Sequence, residues 1–204
     1  EFGNKGLPPL YPEPLVITGI VSSKNQEFRN LTSAENLIGF FGENFTVTLS
    51  SSNAYSEHRR TVPLVQYLNE SLIHETTTPE KLANESWYLF GETYSDDWKR
   101  LLKHYELPSC RTCRDSLVAL SFGIGNVGSG VQWHVHGPGF SEALHGRKHW
   151  VLYPPQTTVQ NFHKDQSSRQ WMEFVYPNVT VKPIECTLEP GDLIYFPDQW
   201  WHGT

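Results

Sequence analysis

The spacing of apolar positions changes character along the chain. Residues 1–14 carry four prolines and read as an extended lead-in. Thr32 or Ser33 is placed to cap a short helix bearing Leu37, Phe40 and Phe41. Phe45 to Leu49 alternates as a strand, and Ser50 to Asn53 reads as a polar loop. Pro63 at a first helical position opens a helix with Leu64, Leu68 and Leu72 at i, i+4 and i+8. Thr78-Pro79 can start another short helix. Ser95 opens a better one, with Trp98, Leu101, Leu102 and Tyr105 on one side and Pro108 as its stop.

Beyond residue 115 the pattern turns strand-like. Leu117 to Ile124, Val131 to His136, Lys148 to Tyr153, Ile184 to Leu188 and Asp192 to Phe196 are short apolar or alternating runs. Turns rich in Gly or Pro separate them, among them 125–130 and 189–191, and a helix of about Ser167 to Val175 interrupts them. Several short strands with turn signals predict an antiparallel sandwich or barrel, with the helices of the first hundred residues packed around it. The organisation expected is a lead-in over 1–14 and one domain over 15–204. Its part 15–115 is helix-rich and its part 116–204 holds the β core.

Composition narrows the function classes. A chain of 204 residues can bury a sizeable core unaided. No apolar stretch approaches the length of a membrane span, so none is expected. The net charge is −6 and no Lys/Arg run exceeds two residues, which removes the electrostatic basis for gripping nucleic acid. Cys110 and Cys113 form a Cys-x-x-Cys, open to reading as a redox pair, half a zinc site, a local disulfide or plain thiols; Cys186 stands alone. The flanks favour the disulfide or the thiols. Eleven Asn and 32 Ser plus Thr in 204 residues give about two Asn-x-Ser/Thr sequons by chance. Five are present, at Asn30, Asn44, Asn69, Asn84 and Asn178. Glycosylation requires the secretory pathway and surface positions, so exposed asparagines and an oxidised Cys110–Cys113 pair are expected there. The chain begins at Glu1 and its only methionine is Met172, so residue 1 is not a translation start.

Three segments carry the candidate chemistry. In Val131–His136, alternation puts Gln132, His134 and His136 on one face and Val131, Trp133 and Val135 on the other. The apolar face packs and the histidine face lines something polar. A His-x-His is not rare in a chain with nine His, so alone it also fits a satisfied histidine pair. In 146–155, alternation puts Lys148 with Trp150 and Leu152. A lysine there needs an anion or a path for its ammonium to water. In 189–202, a Glu-Pro-Gly-Asp turn launches a strand, Pro197 ends it, and two tryptophans deliver His202 into dry surroundings.

These three segments, in this order, resemble the JmjC branch of the cupin-fold oxygenases. The likeness rests on Trp133-His-x-His136-Gly-Pro-Gly, Gly146-Arg-Lys148 with Tyr153-Pro-Pro155, and Pro190-Gly-Asp192 through Phe196-Pro-Asp-x-Trp-Trp-His202. It reaches back to Ser51–Ser56 and to Ser86-Trp-Tyr-Leu-Phe-Gly91. The resemblance implies a mainly β fold, a double-stranded β-helix (the cupin jelly roll) with flanking N-terminal helices. It implies Fe(II) with 2-oxoglutarate as cosubstrate, His134 and His202 as metal ligands, and Lys148 as the cation on the far carboxylate of oxoglutarate. His136 stands where the family has a carboxylate, so the ligand set reads His134, His136 and His202, with Glu142 a possible substitute. The hydroxylic residue usual three positions before the first ligand is replaced by Val131. Family members also run through at least one more strand beyond the third ligand, so a fragment or a barrel short of one edge is expected.

Three functions follow. The first is an oxygenase in the lumen of the endoplasmic reticulum, acting on a protein side chain. The second is a binding or regulatory protein of the same fold, acting through protein partners. The third is a cupin used structurally without metal.

Overall fold

The computed structural model describes residues 12–19, 23–51, 58–73, 87–108, 118–163 and 166–204. Among them the chain is mainly β, in three antiparallel three-stranded sheets with short helices beside them. The expected Thr78 helix and the Cys110–Cys113 pair lie outside the described residues.

The first sheet gathers the N-terminal half. Strand β2 (Thr46–Ser51) lies between β3 (Arg59–Pro63) and β4 (Trp87–Tyr88). Helices α1 (Ser23–Leu31), α2 (Ala34–Phe41), α3 (Leu64–Ile73) and α4 (Asp96–Leu102) surround it. Ser33 caps α2 by accepting from the Asn36 amide, as an N-cap serine should. Ser95 stands at the N-cap of α4, with Asp96 and Asp97 at the positive end of its dipole. The buried side chains Phe28, Leu37, Leu49, Tyr67, Trp98 and Leu101 form one continuous core.

Several expectations are corrected here. Ser50 does not lie in a loop: β2 continues through Ser51, and Ser50 is fully buried with its Oγ accepting from Arg59. Pro63 closes β3 rather than opening α3; with no N–H to offer, it can sit at the end of a ladder but not inside one. Of the strand expected up to Ile124, the described residues 118–124 hold only one bridge, Ile124 to Leu89.

The second half builds the other two sheets. One has the order β1-β8-β5, from Leu15–Ile17, Leu193–Phe196 and Gly139–Glu142. The other has the order β7-β6-β9, from Ile184–Leu188, Lys148–Tyr153 and Trp201–Gly203. Strand β6 is buried on both faces. Trp150 and Leu152 join Leu188, Ile194, Phe196 and Trp200 in one cluster, while Val151 and Tyr153 join Trp133, Val159 and Trp171 in another. The first cluster lies between the two sheets, since it draws residues from both. The helix expected near Ser167 is a capped turn, α5 (Ser168–Gln170), running on into a π turn over Trp171–Val175 and a 3-10 turn over Tyr176–Asn178. It anchors Trp171, whose Nε1–H donates to the Gln160 carbonyl.

Val131–His136 is not a regular strand. It runs antiparallel beside 199–204 through a few fixed points. His134 and His202 exchange two backbone hydrogen bonds of 3.0 Å, Gln199 N donates to the His136 carbonyl at 3.1 Å, and Thr204 N donates to the Val131 carbonyl at 2.9 Å. Thr204 Oγ1 accepts from the Val131 amide at 3.0 Å, a side chain taking the place of a ladder carbonyl. Gly130 permits this approach, because a Cβ there would fall 1.8 Å from the Thr204 carbonyl oxygen.

Candidate metal centre

Strand geometry brings the three histidines together. His134 and His202 are directly opposed across an antiparallel bridge, and opposed residues share a face. His136 is two residues on from His134 and points the same way. The opposite face takes Trp133 into the core, stacked on Tyr153 at 5.2 Å and edge-on to Trp171 at 5.0 Å. One possible ligand atom from each of His134, His136 and His202 lies within 4.8 Å of the other two. His202 is buried, His134 half-buried and His136 exposed, so the cluster opens on the His136 side.

The ring orientations are set by the backbone. Nδ1 of His134 meets the Gln132 carbonyl at 2.7 Å, Nδ1 of His202 the Trp200 carbonyl at 2.8 Å, and Nδ1 of His136 the Gly137 carbonyl at 2.7 Å. A carbonyl only accepts, so each Nδ1 carries a proton, which leaves Nε2 as the ring nitrogen free to take a metal. Burial holds His134 down to about 4 and His202 down to about 3, so both are neutral at physiological pH. The Nε2 atoms of His136 and His202 face each other at 3.2 Å, within reach of one shared proton or one shared ion. A metal ion between them resolves that contact. Ligand bonds of about 2.1 Å at right angles put their nitrogens roughly 3.0 Å apart. The donor set fits a divalent ion, and the carbonyl-fixed tautomers are the outer support such sites use.

Phe196 and Trp150 wall the cluster, with ring centroids 4.2 Å and 6.1 Å from that of His202. Gly139 lets Phe196 in, since a Cβ there would fall 2.5 Å from the Phe196 ring. Lys148 sits half-buried over Trp150 at 5.3 Å, and its Nζ donates to Tyr88 Oη at 3.1 Å. Among the described residues no carboxylate partners Lys148. Its charge nevertheless bears on both His134 and His202, helping to keep them unprotonated. Sequence reasoning gave Tyr88 no role; sixty positions separate it from Lys148, and long-range pairings, of β4 with β2 and of Leu89 with Ile124, hold it there.

Glu142 is not a substitute ligand. On β5 its Oε2 accepts from Tyr105 Oη at 2.8 Å and from Asn25 Nδ2 at 3.2 Å, which commits it to the helical side of the molecule. Val131 is buried at the position where a hydroxyl was looked for. Of the sequons, Asn30, Asn44, Asn69 and Asn178 are exposed, and Asn84 lies outside the described residues. Cys186 is a free, half-buried thiol on β7. No helix among the described residues is long and apolar enough to cross a membrane.

The jelly-roll sheets and the histidine cluster between them define a class, and comparison with known proteins agrees: the family described as "Cupin-like domain" matches residues 11–203, and the chain belongs to that cupin-like JmjC family. JmjC domain-containing protein 8 of Rattus norvegicus is 42% identical over 94% of this chain and 70% of its own length. The bifunctional arginine demethylase and lysyl-hydroxylase psr-1 of Caenorhabditis briggsae is 27% identical over 67% of this chain and 36% of its own. The X-ray structure of E. coli ycfD superposes with a TM-score of 0.46 at 17% identity, covering 96% of this chain and 46% of that one.

Proposed function

We propose that this chain is a JmjC-type oxygenase of the secretory pathway, in the lumen of the endoplasmic reticulum, that uses Fe(II) and 2-oxoglutarate and acts on a protein side chain. One observation carries the reading: three imidazoles, each tied by Nδ1 to a backbone carbonyl, bring one ring nitrogen apiece within 4.8 Å of one another. His134, His136 and His202 would hold the iron. Bound iron with oxoglutarate would supply the oxidising chemistry. Lys148 and the Tyr88 hydroxyl would receive the far carboxylate of oxoglutarate, a charge-assisted contact in an aromatic surround. Phe196 and Trp150 wall the buried side of the cluster. The exposed His136 edge leaves the protein substrate its approach. A relative bearing the name of a lysyl-hydroxylase supports a protein side chain as substrate, and four exposed sequons support the compartment. The test is succinate formation from oxoglutarate by iron-loaded protein. Turnover lost in His134→Ala and Lys148→Ala is the expected result; no turnover with any candidate peptide removes the enzymatic reading.

His136 favours a second reading. With three neutral ligands the metal keeps its full charge and lacks the electron-rich push of a carboxylate. A regulatory protein that binds metal and a small anion and signals to protein partners would need no more than that. His136→Asp separates the two: a rise in turnover would show the missing carboxylate limits an enzyme, whereas metal and oxoglutarate binding without turnover in both forms supports the regulator.

A further inference from the structure

We propose that Asn178 carries an N-linked glycan whose first sugar packs on the Phe174 ring, so that carbohydrate completes a face of the protein that the chain leaves apolar. This rests on the reading that the chain passes through the endoplasmic reticulum, and adds a structural role for one of its sequons.

Residues 168–178 run as one right-handed path, from α5 through the π turn to the 3-10 turn. Its inward side takes Trp171, Val175 and Val179 into the cluster with Trp133 and Tyr153. Its outward side carries Phe174, Pro177 and Asn178, all exposed. Residues three and four apart on such a path are neighbours, about 5–6 Å apart at Cβ, and their side chains lean toward the N-terminal end. Asn178 therefore leans back toward Phe174, with Pro177 beside them. The turn is firmly held. The Gln160 carbonyl accepts from Trp171 Nε1 at 3.0 Å, while its side chain accepts from the Thr180 amide at 2.9 Å and donates to Thr180 Oγ1 at 3.0 Å. One glutamine thus ties the chain on both sides of Phe174 and Asn178.

Phe174 is 67% exposed. Its neighbour Tyr176 is already taken: Lys182 Nζ lies 4.0 Å over its ring, Trp171 stands edge-on at 6.0 Å, and its hydroxyl donates to Glu185. A lone phenyl ring on a surface needs no partner. What singles this one out is the sequon Asn178-Val-Thr180 one turn away. In glycosylation Asn178 Nδ2 bonds to C1 of the first sugar and gives up one proton. The bond from C1 to the oxygen of a polyprenyl diphosphate carrier breaks, and the carrier leaves with that electron pair. The first sugar, an N-acetylhexosamine, then turns its weakly positive ring C–H groups to the negative face of the phenyl ring. Both partners are fixed to one held turn, so the contact costs little ordering.

The experiment expresses the full chain through the secretory pathway of mammalian cells, as wild type, Asn178→Gln, Phe174→Ser and the double variant. Glycopeptide mass spectrometry should find Asn178 occupied. Thermal melts should place Asn178→Gln about 2–4 °C below the wild type and Phe174→Ser lower by a similar amount, in line with one aromatic contact in a chain of this size. In the Asn178→Gln background, Phe174→Ser should shift the melt by less than about 1 °C. The gap between wild type and Asn178→Gln should survive enzymatic trimming of every glycan to its first sugar. An unmodified Asn178 with another sequon modified would overturn the proposal and leave the compartment standing; no modification at any sequon would overturn both. A Phe174→Ser shift of equal size in both backgrounds would put another protein surface on the ring in place of the sugar. An occupied Asn178 whose loss leaves the melt unmoved, or a gap that closes on trimming, would likewise overturn the contact.

Discussion

The molecule holds two buried polar clusters, and they face their partners differently. On the helical side, Glu142 of β5 accepts from Tyr105, whose phenol its charge helps push upward, and from Asn25, which also exchanges hydrogen bonds with the backbone of Glu106. Nearby, Thr32 meets His145 at 3.2 Å. There donors face acceptors, and the result is a clasp between α1, the end of α4 and β5. Between the β sheets, three imidazoles with Nδ1 already on backbone carbonyls converge beside a cation, and no carboxylate joins them among the described residues. A buried polar group without a complement is costly. The first cluster is held by its own hydrogen bonds through Glu142 Oε2, with Oε1 buried and unpartnered, whereas the second turns like groups onto one point and fits a ligand from outside.

That contrast can be broken by mutation. The largest effect is expected from His202→Ala, which should reduce Mn(II) affinity measured with oxoglutarate by at least about 100-fold, more than loss of an outer-shell partner does elsewhere. Glu142→Gln should leave metal affinity within about twofold; a larger loss would mean that Glu142 serves the metal after all. Next comes Tyr105→Phe, which strips a hydroxyl from the carboxylate it serves. A loss of about 1–3 kcal/mol in chemical denaturation is expected, with metal binding unchanged.

Acid should move the two clusters in opposite directions. His134 and His202 are held well below their ordinary values, chiefly by burial. The unfolded chain therefore binds protons that the fold does not. Their contribution is complete above about pH 6.5 and is lost as pH falls toward 4, so the metal-free protein should lose roughly 5 °C of melting temperature over that range. Glu142 is raised by burial, so its part has the other sign: present below the ordinary carboxylate value and lost as pH rises through its folded value. Thermal melts of His202→Gln should show a flatter acid slope, and those of Glu142→Gln a steeper one. The smallest loss of binding is expected from Tyr88→Phe, which keeps the ring under Lys148 and removes only its hydroxyl. It should weaken oxoglutarate binding with metal present by about fivefold, in line with one net hydrogen bond.

The sequence made the repeating parts of this architecture legible. The alternation of 148–153 gave β6 with Lys148, Trp150 and Leu152 on one face, and the i, i+2 spacing of His134 and His136 set their shared direction. Both follow from backbone geometry, which is local. What was hidden depends on distant partners. α1 is polar almost throughout, and Phe28, helped by the partly buried Leu31, anchors it in the core. β5 reads Gly-Phe-Ser-Glu, with no alternation to find, and exists because β8 pairs with it. Tyr88 belongs to the Lys148 site only through the sheet, and Glu142 was freed for consideration as a ligand only because Asn25 and Tyr105 could not be placed beside it. Residues 131–136 alternate like a strand but form one bridge, because Thr204 Oγ1 replaces a ladder carbonyl.

The central claim is that three imidazoles, and no protein carboxylate, hold the metal. The direct measurement is the X-ray absorption fine structure of zinc-loaded protein with 2-oxoglutarate present. Three imidazole nitrogens at about 2.0–2.1 Å are expected, falling to two in His136→Ala. A shell with fewer than three imidazoles in the wild type, or one unchanged by removing His136, would contradict it.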